Sequence, residues 1–262
     1  MKRPCSISHL IITMSLLSGS AGGLRGQSYN DAVNAYNRGN DLNIEEKHVE
    51  AIVEYEKAAR WFSAIRPDSV ELASCLHNLG LQYQAMGEYG KAEPLYVRSL
   101  EIHESKAGKN HAHTATILNS LANLNSLLGR PTKAESLYRR SLEIREITLG
   151  KDHPDTASSL HNLAQVYASV ADFGKAEPLY RRALEIFEAK LGRDHALVGQ
   201  VLNSWANLYL NMGLYDKADV LSRRSLEIFE ARLGKEHRQT ALSLLNQGNR
   251  LMVWPTAKVL LH

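Results

Sequence analysis

Leu160, Leu163, Ala164 and Tyr167 stand at i, i+3, i+4 and i+7, and Ala176, Leu179, Tyr180, Ala183, Leu184 and Phe187 keep helical spacing after a short polar break. Each set is the apolar stripe of an amphipathic helix. Pro154 and Asp155 open the first stripe with residues that suit a helix's first turn. The break around Ala171-Asp172 is too short for anything but a turn. No alternation of period two competes, so the segment is expected to fold as two helices. Neither can bury its stripe alone.

The pair recurs along the chain. Leu-Glu-Ile occurs at 100–102, 142–144, 184–186 and 226–228, a spacing of 42 each time. Leu76, Leu118, Leu160, Leu202 and Leu244 keep that spacing, as do Ala92, Ala134, Ala176 and Ala218, and His111, His153, His195 and His237. The repeats are assigned as 65–106, 107–148, 149–190 and 191–232. A divergent repeat precedes them at 24–64, where Gly39, Ala51 and Tyr55 match Gly80, Ala92 and Tyr96, and a partial repeat follows at 233–262. Stacked helix pairs bury their stripes continuously and build a solenoid.

The residues within one period carry a resemblance. Leu76-x-x-Leu79-Gly80-x-x-Tyr83, followed by Gly87-x-Tyr89-x-x-Ala92-x-x-x-Tyr96-x-x-Ser99-Leu100, resembles the tetratricopeptide repeat. The common form has a period of about 34 residues. The longer period here, with L-G-K-D-H-P-D-T, H-N-L-A and A-E-P-L-Y-R-R-A-L-E-I, is similar to the kinesin-light-chain-type subclass and to bacterial exported arrays. The resemblance implies an all-α fold: a right-handed superhelical solenoid of antiparallel helix pairs. It implies a scaffold that binds a protein or an extended peptide segment in a concave groove lined by the first helices.

Helical geometry locates the face opposite the core stripe. In 149–190 it holds Ser158, Asn162, Gln165 and Ser169. The candidate groove residues across the array are Asn37, Asn40, Asn78, Asn123, Ser158, Asn162, Gln165, Gln200, Asn207, Asn211, Asn246 and Asn249. Its flank holds His77, Asn119, His161 and Asn203. Asparagine is an indifferent helix former, so local propensity does not account for its recurrence. An amide both donates and accepts, which suits the backbone of an extended peptide. The competing reading is that these amides stitch neighbouring turns. His77 and His161 admit a similar choice between pH sensitivity and a place as partly buried donors in the stack.

Composition narrows the function. Of 31 Lys and Arg, three (Lys2, Arg3 and Arg25) precede the first acid, Asp31, leaving cations and acids equal thereafter. Such a body has no electrostatic footprint for nucleic acid. The groove positions carry no charge, which disfavours capture of a terminal carboxylate. Cys5 and Cys75 exclude a disulfide scaffold. His111, His153, His195 and His237 lie a full repeat apart, so they read as a helix-entry motif rather than as ligands. His111-Ala112-His113 lacks clustered partner ligands, so no metal and no cofactor is expected. The Arg-Arg pairs at 139–140, 181–182 and 223–224 read as a solvated face, with Arg139, Arg181 and Arg223 pairing to Glu143, Glu185 and Glu227. No nucleophile, base and orienter can be nominated, so no catalysis is expected.

The two ends add expectations of their own. Lys2 and Arg3, then a mostly apolar Ile7–Leu17, then small residues at 18–23, form the pattern of a signal peptide over 1–23. The run is too short for an ordinary membrane-spanning helix. An exported protein is expected (periplasmic, cell-envelope or extracellular), with a cytoplasmic one as the alternative. Leu242, Leu244, Leu245, Leu251, Met252 and Val253 crowd the last helix, 241–254, where solenoids usually carry a polar cap. Two alternatives therefore stand beside the peptide-binding scaffold. One is a self-associating spacer, a homo-oligomer through this helix. The other is the repeat region of a larger protein with a caspase-like protease domain. Finally, 107–148 is expected to be the weak link: Tyr83, Tyr167 and Tyr209 become Asn125, and Tyr89, Phe173 and Tyr215 become Pro131.

Overall fold

A computed structural model describes residues 28–234 together with His237, Thr240 and Ser243. The apolar start, most of the closing helix and the groove residues Asn246 and Asn249 lie outside the described residues. Those described form ten α-helices and no strand: α1 (Tyr29–Ile44), α2 (His48–Ile65), α3 (Val70–Ala85), α4 (Tyr89–Lys106), α5 (Ala112–Leu127), α6 (Pro131–Thr148), α7 (Pro154–Ser169), α8 (Phe173–Leu191), α9 (Ala196–Asn211) and α10 (Tyr215–Leu233). Odd-numbered helices are the first of each pair and each has 16 residues. The chain divides between Leu137 and Tyr138 into two compact units.

Repeated local chemistry starts and stops the helices. His111, His153 and His195 are N-caps whose Nδ1 accepts the backbone N–H two residues on, at 3.2, 3.1 and 3.2 Å. This satisfies one of the orphan donors at a helix start. Thr114 and Thr156 add a hydroxyl bond to the carbonyls of Gly108 and Gly150. Each pair turns through a residue with positive φ: Glu46 in the first, then Gly87, Gly129, Ala171 and Gly213, 42 apart, and of these five Glu46 and Ala171 carry a Cβ in that conformation.

In the first unit, Ala51, Tyr55, Ala58 and Phe62 of α2 and Leu72, Ala73, Leu76 and Leu79 of α3 share one core. Close approach sets two glycines. A Cβ on Gly39 would lie 2.7 Å from the Tyr55 ring, and one on Gly80 2.7 Å from Tyr96. In the second unit, Leu160, Leu163, Ala164 and Tyr167 of α7 are buried, as are Ala176, Tyr180, Ala183 and Phe187 of α8. Ile186 joins them, widening the stripe on α8.

The helix-closing tyrosines are tied on both sides. Lys91, Lys175 and Lys217 lie over the rings of Tyr83, Tyr167 and Tyr209, at 5.2, 5.1 and 5.2 Å from their centroids. The Tyr83 hydroxyl donates to Glu56 of the preceding pair at 2.9 Å. In the repeat at 107–148, Asn125 and Lys133 take these places, and Glu56 falls in register with Val97, which is 40% exposed. Asn125 is only 2% exposed. Its Nδ2 donates to the Leu121 carbonyl at 2.8 Å, while its Oδ1 is buried without a partner. An unsatisfied buried acceptor costs about 1–3 kcal/mol. N125Y should therefore raise stability by about 1 kcal/mol or more and slow amide exchange in α5 roughly tenfold. Exchange that is unchanged or faster in N125Y would refute this assignment of the weak site.

Candidate functional site

The first helices of each unit present the uncharged polar face. In the first unit, two of its amides are joined across repeats. Asn78 Nδ2 donates to Asn40 Oδ1 at 3.0 Å and to the Tyr36 hydroxyl at 3.1 Å, and the Tyr55 hydroxyl donates to the same Asn40 oxygen at 2.8 Å. Gln82, 1% exposed, extends the seam: Nε2 donates to Asn43 at 2.7 Å, and Oε1 meets His48 Nδ1 at 2.8 Å. Asn40 and Asn78 therefore stitch α1, α2 and α3 together. Asn37 is exposed beside them. Asn119 and Asn123 on α5 are half-buried and engaged in contacts of their own.

In the second unit, Gln165 Nε2 donates to Ser204 Oγ at 3.2 Å, and His161 Nε2 lies 3.0 Å from the same oxygen. Ser158 turns its hydroxyl back to the Pro154 carbonyl. Asn162 and Asn203 are engaged as well. Gln200 and Asn207 are half-buried and Asn211 is exposed on α9, with their side-chain amides facing no hydrogen-bond partner among the described residues. The unengaged amides of this unit thus gather on α9.

His77 takes the stacked place that sequence allowed it: Nε2 lies 2.9 Å from Ser120 Oγ, and its ring is 5.6 Å from that of Tyr96. Burial, helped by the charges of His103 and His113, pushes His77 down to about 4. Burial alone pushes His161 down to about 4. These pairs expose a longer period that the 42-residue comparison hid. His77-Asn78, Asn119-Ser120, His161-Asn162 and Asn203-Ser204 alternate, so the His–Ser seam recurs only every second repeat.

The ion pairs on the second helices run the other way from the expectation. Arg181 pairs with Glu177 at 3.1 Å and Arg223 with Asp219 at 2.7 Å, each four residues back rather than forward to Glu185 and Glu227. An acid N-terminal to its base at this spacing has the better geometry and agrees with the helix dipole. The second arginines bind loops: Arg182 and Arg224 donate to the carbonyls of Lys151 and Arg193 at 3.2 and 3.3 Å.

Residue-by-residue register shows one column that sequence reasoning missed. Phe62, His103, Arg145, Phe187 and Phe229 occupy equivalent positions, all buried, so two adjacent repeats carry a titratable or charged group where the others carry a phenyl ring. The departure was readable once the repeats were aligned; its consequence was not. Among the described residues, no three His, Cys, Asp or Glu converge as metal ligands, and no helix is long and apolar enough to cross a membrane. Cys75 is a buried free thiol, pushed up to about 12 by burial and by the charge of Glu71.

Comparison with known proteins agrees with this geometry. Tetratricopeptide repeat profiles match residues 31–105, 75–147, 113–189 and 198–239. Curated protein sequences gave no match. Among solved structures, BtubC (BKLC) from P. vanneervenii is 26% identical with a TM-score of 0.65, over 78% of this chain and 82% of that one. A Podosopora anserina protein described as having kinesin light chain nearly identical TPR-like repeats is 19% identical, with a TM-score of 0.66 over 78% and 98% of the two chains. The apo form of RapI is 18% identical, with a TM-score of 0.68 over 87% and 84%.

Proposed function

The chain belongs to the tetratricopeptide repeat family, and on that premise we propose that it is a non-catalytic scaffold that binds protein partners through an extended segment laid across its first helices. The observation that carries this reading is the uncharged face itself. Its amides and hydroxyls offer donors and acceptors to a peptide backbone without demanding a charged side chain. The face is divided in labour. Asn40 and Asn78 hold the stack, while Gln200, Asn207 and Asn211 on α9 meet the partner.

Capture of partners by the full chain, followed by peptide scanning of whatever binds, tests the reading. N207A/N211A should weaken binding at least tenfold with an unchanged melting temperature. N78A should instead lower stability by about 1–2 kcal/mol, because it strips two hydrogen bonds from a half-buried seam. Binding that survives N207A/N211A undiminished would move the site off this face.

A further inference from the structure

We propose that the imidazole cluster at the junction of α4 and α5 is a proton-operated latch, closed when neutral and opened by acid. The cluster is geometric. His103 lies in the last turn of α4 and is 5% exposed, with Nδ1 lacking any hydrogen-bond partner. Its ring centroid is 5.7 Å from that of His113 and 6.3 Å from that of His111; those two are 5.5 Å apart. The three ring planes lie within 22° of one another.

The closed arrangement uses the neutral ring at His103 and an acceptor nitrogen at His111. His111 caps α5 with an Nδ1 that must be unprotonated to accept the His113 N–H. His103 stands where the preceding repeat carries Phe62, and burial lowers its proton affinity, followed by the charges of His113 and His111. From α3 the group is faced by His77, itself coupled to His103 and His113. The ionisable neighbours along the chain are Glu104, Lys106 and Lys109. The charges that bear most on His103 are thus imidazoles, which repel once protonated. The C-terminal dipole of α4 favours a cation at His103, in its last turn, but burial and the neighbouring imidazoles outweigh it.

The linkage has a definite sign. An imidazole held neutral in the closed state and free to bind a proton in the open one contributes stability above its ordinary range, near 6.5. That stability is lost as pH falls, because the open state binds more protons. Each such group raises the opening constant about tenfold per pH unit below that range.

Amide exchange across α4 and α5 of the full chain, corrected for intrinsic rates and followed from pH 7.5 to 5, tests the latch. In the wild type, protection should hold above about 6.5 and fall by about tenfold or more per pH unit below it. H103F installs the ring found at Phe62, Phe187 and Phe229 and should lower that slope; H77N/H103F should flatten it. H113D changes an exposed side chain to the residue found at Asp155, so it leaves the core intact. It places a carboxylate against His103 and should shrink the acid loss. A wild-type slope that persists in both H103F and H113D, or protection that does not change with pH in the wild type, overturns the proposal.

Discussion

Replacing Ser159 by valine should destabilise the second unit by roughly 1–3 kcal/mol, and replacing Arg145 by phenylalanine in the same chain should reverse the loss. Arg145 is 7% exposed, and its Nη1 donates to Ser159 Oγ and to the Asp155 carbonyl, both at 2.8 Å. In S159V one acceptor disappears from a buried guanidinium that keeps its charge. R145F alone leaves the Ser159 hydroxyl unpaired. The double variant transplants the pair that the next repeat uses, Phe187 with Val201, into the same layer. Apolar replacements of a buried charged group that fit its volume are neutral or stabilising by about 1–4 kcal/mol. Urea denaturation of the four chains closes the cycle. A double variant less stable than either single one would show that Arg145 holds the layer in a way a phenyl ring cannot.

Acid should weaken the second unit through a different residue. His161 bonds Ser204 as a neutral ring and is held near 4 by burial. The unfolded chain binds its proton near 6.5. Stability is therefore complete above about 6.5, falls as pH drops through that window and levels off near 4, a total of about 3 kcal/mol. H161N places there the residue found at Asn119 and Asn203, which does not titrate. Melting of the two chains between pH 7.5 and 4.5 should show the wild type losing stability faster, by about 1.4 kcal/mol per pH unit. Parallel curves would place the His161 ring in water rather than in the seam. The histidine caps His153 and His195 contribute equally to both chains, so the difference isolates His161.

The fold was legible because it is local and repeated. The apolar stripes of α7 and α8 rest on spacing within one helix, and stacking the same stripe again leaves few alternatives. The turns and caps were legible for the same reason: Pro154, the histidines and the break at Ala171-Asp172 act on backbone groups a few residues away. The tyrosine missing at Asn125 was visible as a broken column. Only the structure showed what the break leaves behind, a buried carbonyl oxygen with no partner.

The candidate face was legible as a set of positions and not as a set of roles. Asn78 and Ser204 are equivalent in register, yet Asn78 is bound to Asn40 and Tyr36, while Ser204 meets His161 and Gln165. The reason is what lies one repeat earlier: Asn78 has a tyrosine and an asparagine within reach. His103 and Arg145 make the same point. By itself, the sequence determined the helix pairs, their period, the buried stripe and the uncharged polar face, because each follows from spacing along one chain. Tertiary structure alone decided which amides are consumed in the seams, that Arg145 is satisfied by Ser159, and that His103, His111 and His113 meet. Those outcomes depend on distances between helices, where one ångström separates a hydrogen bond from an unpaired group.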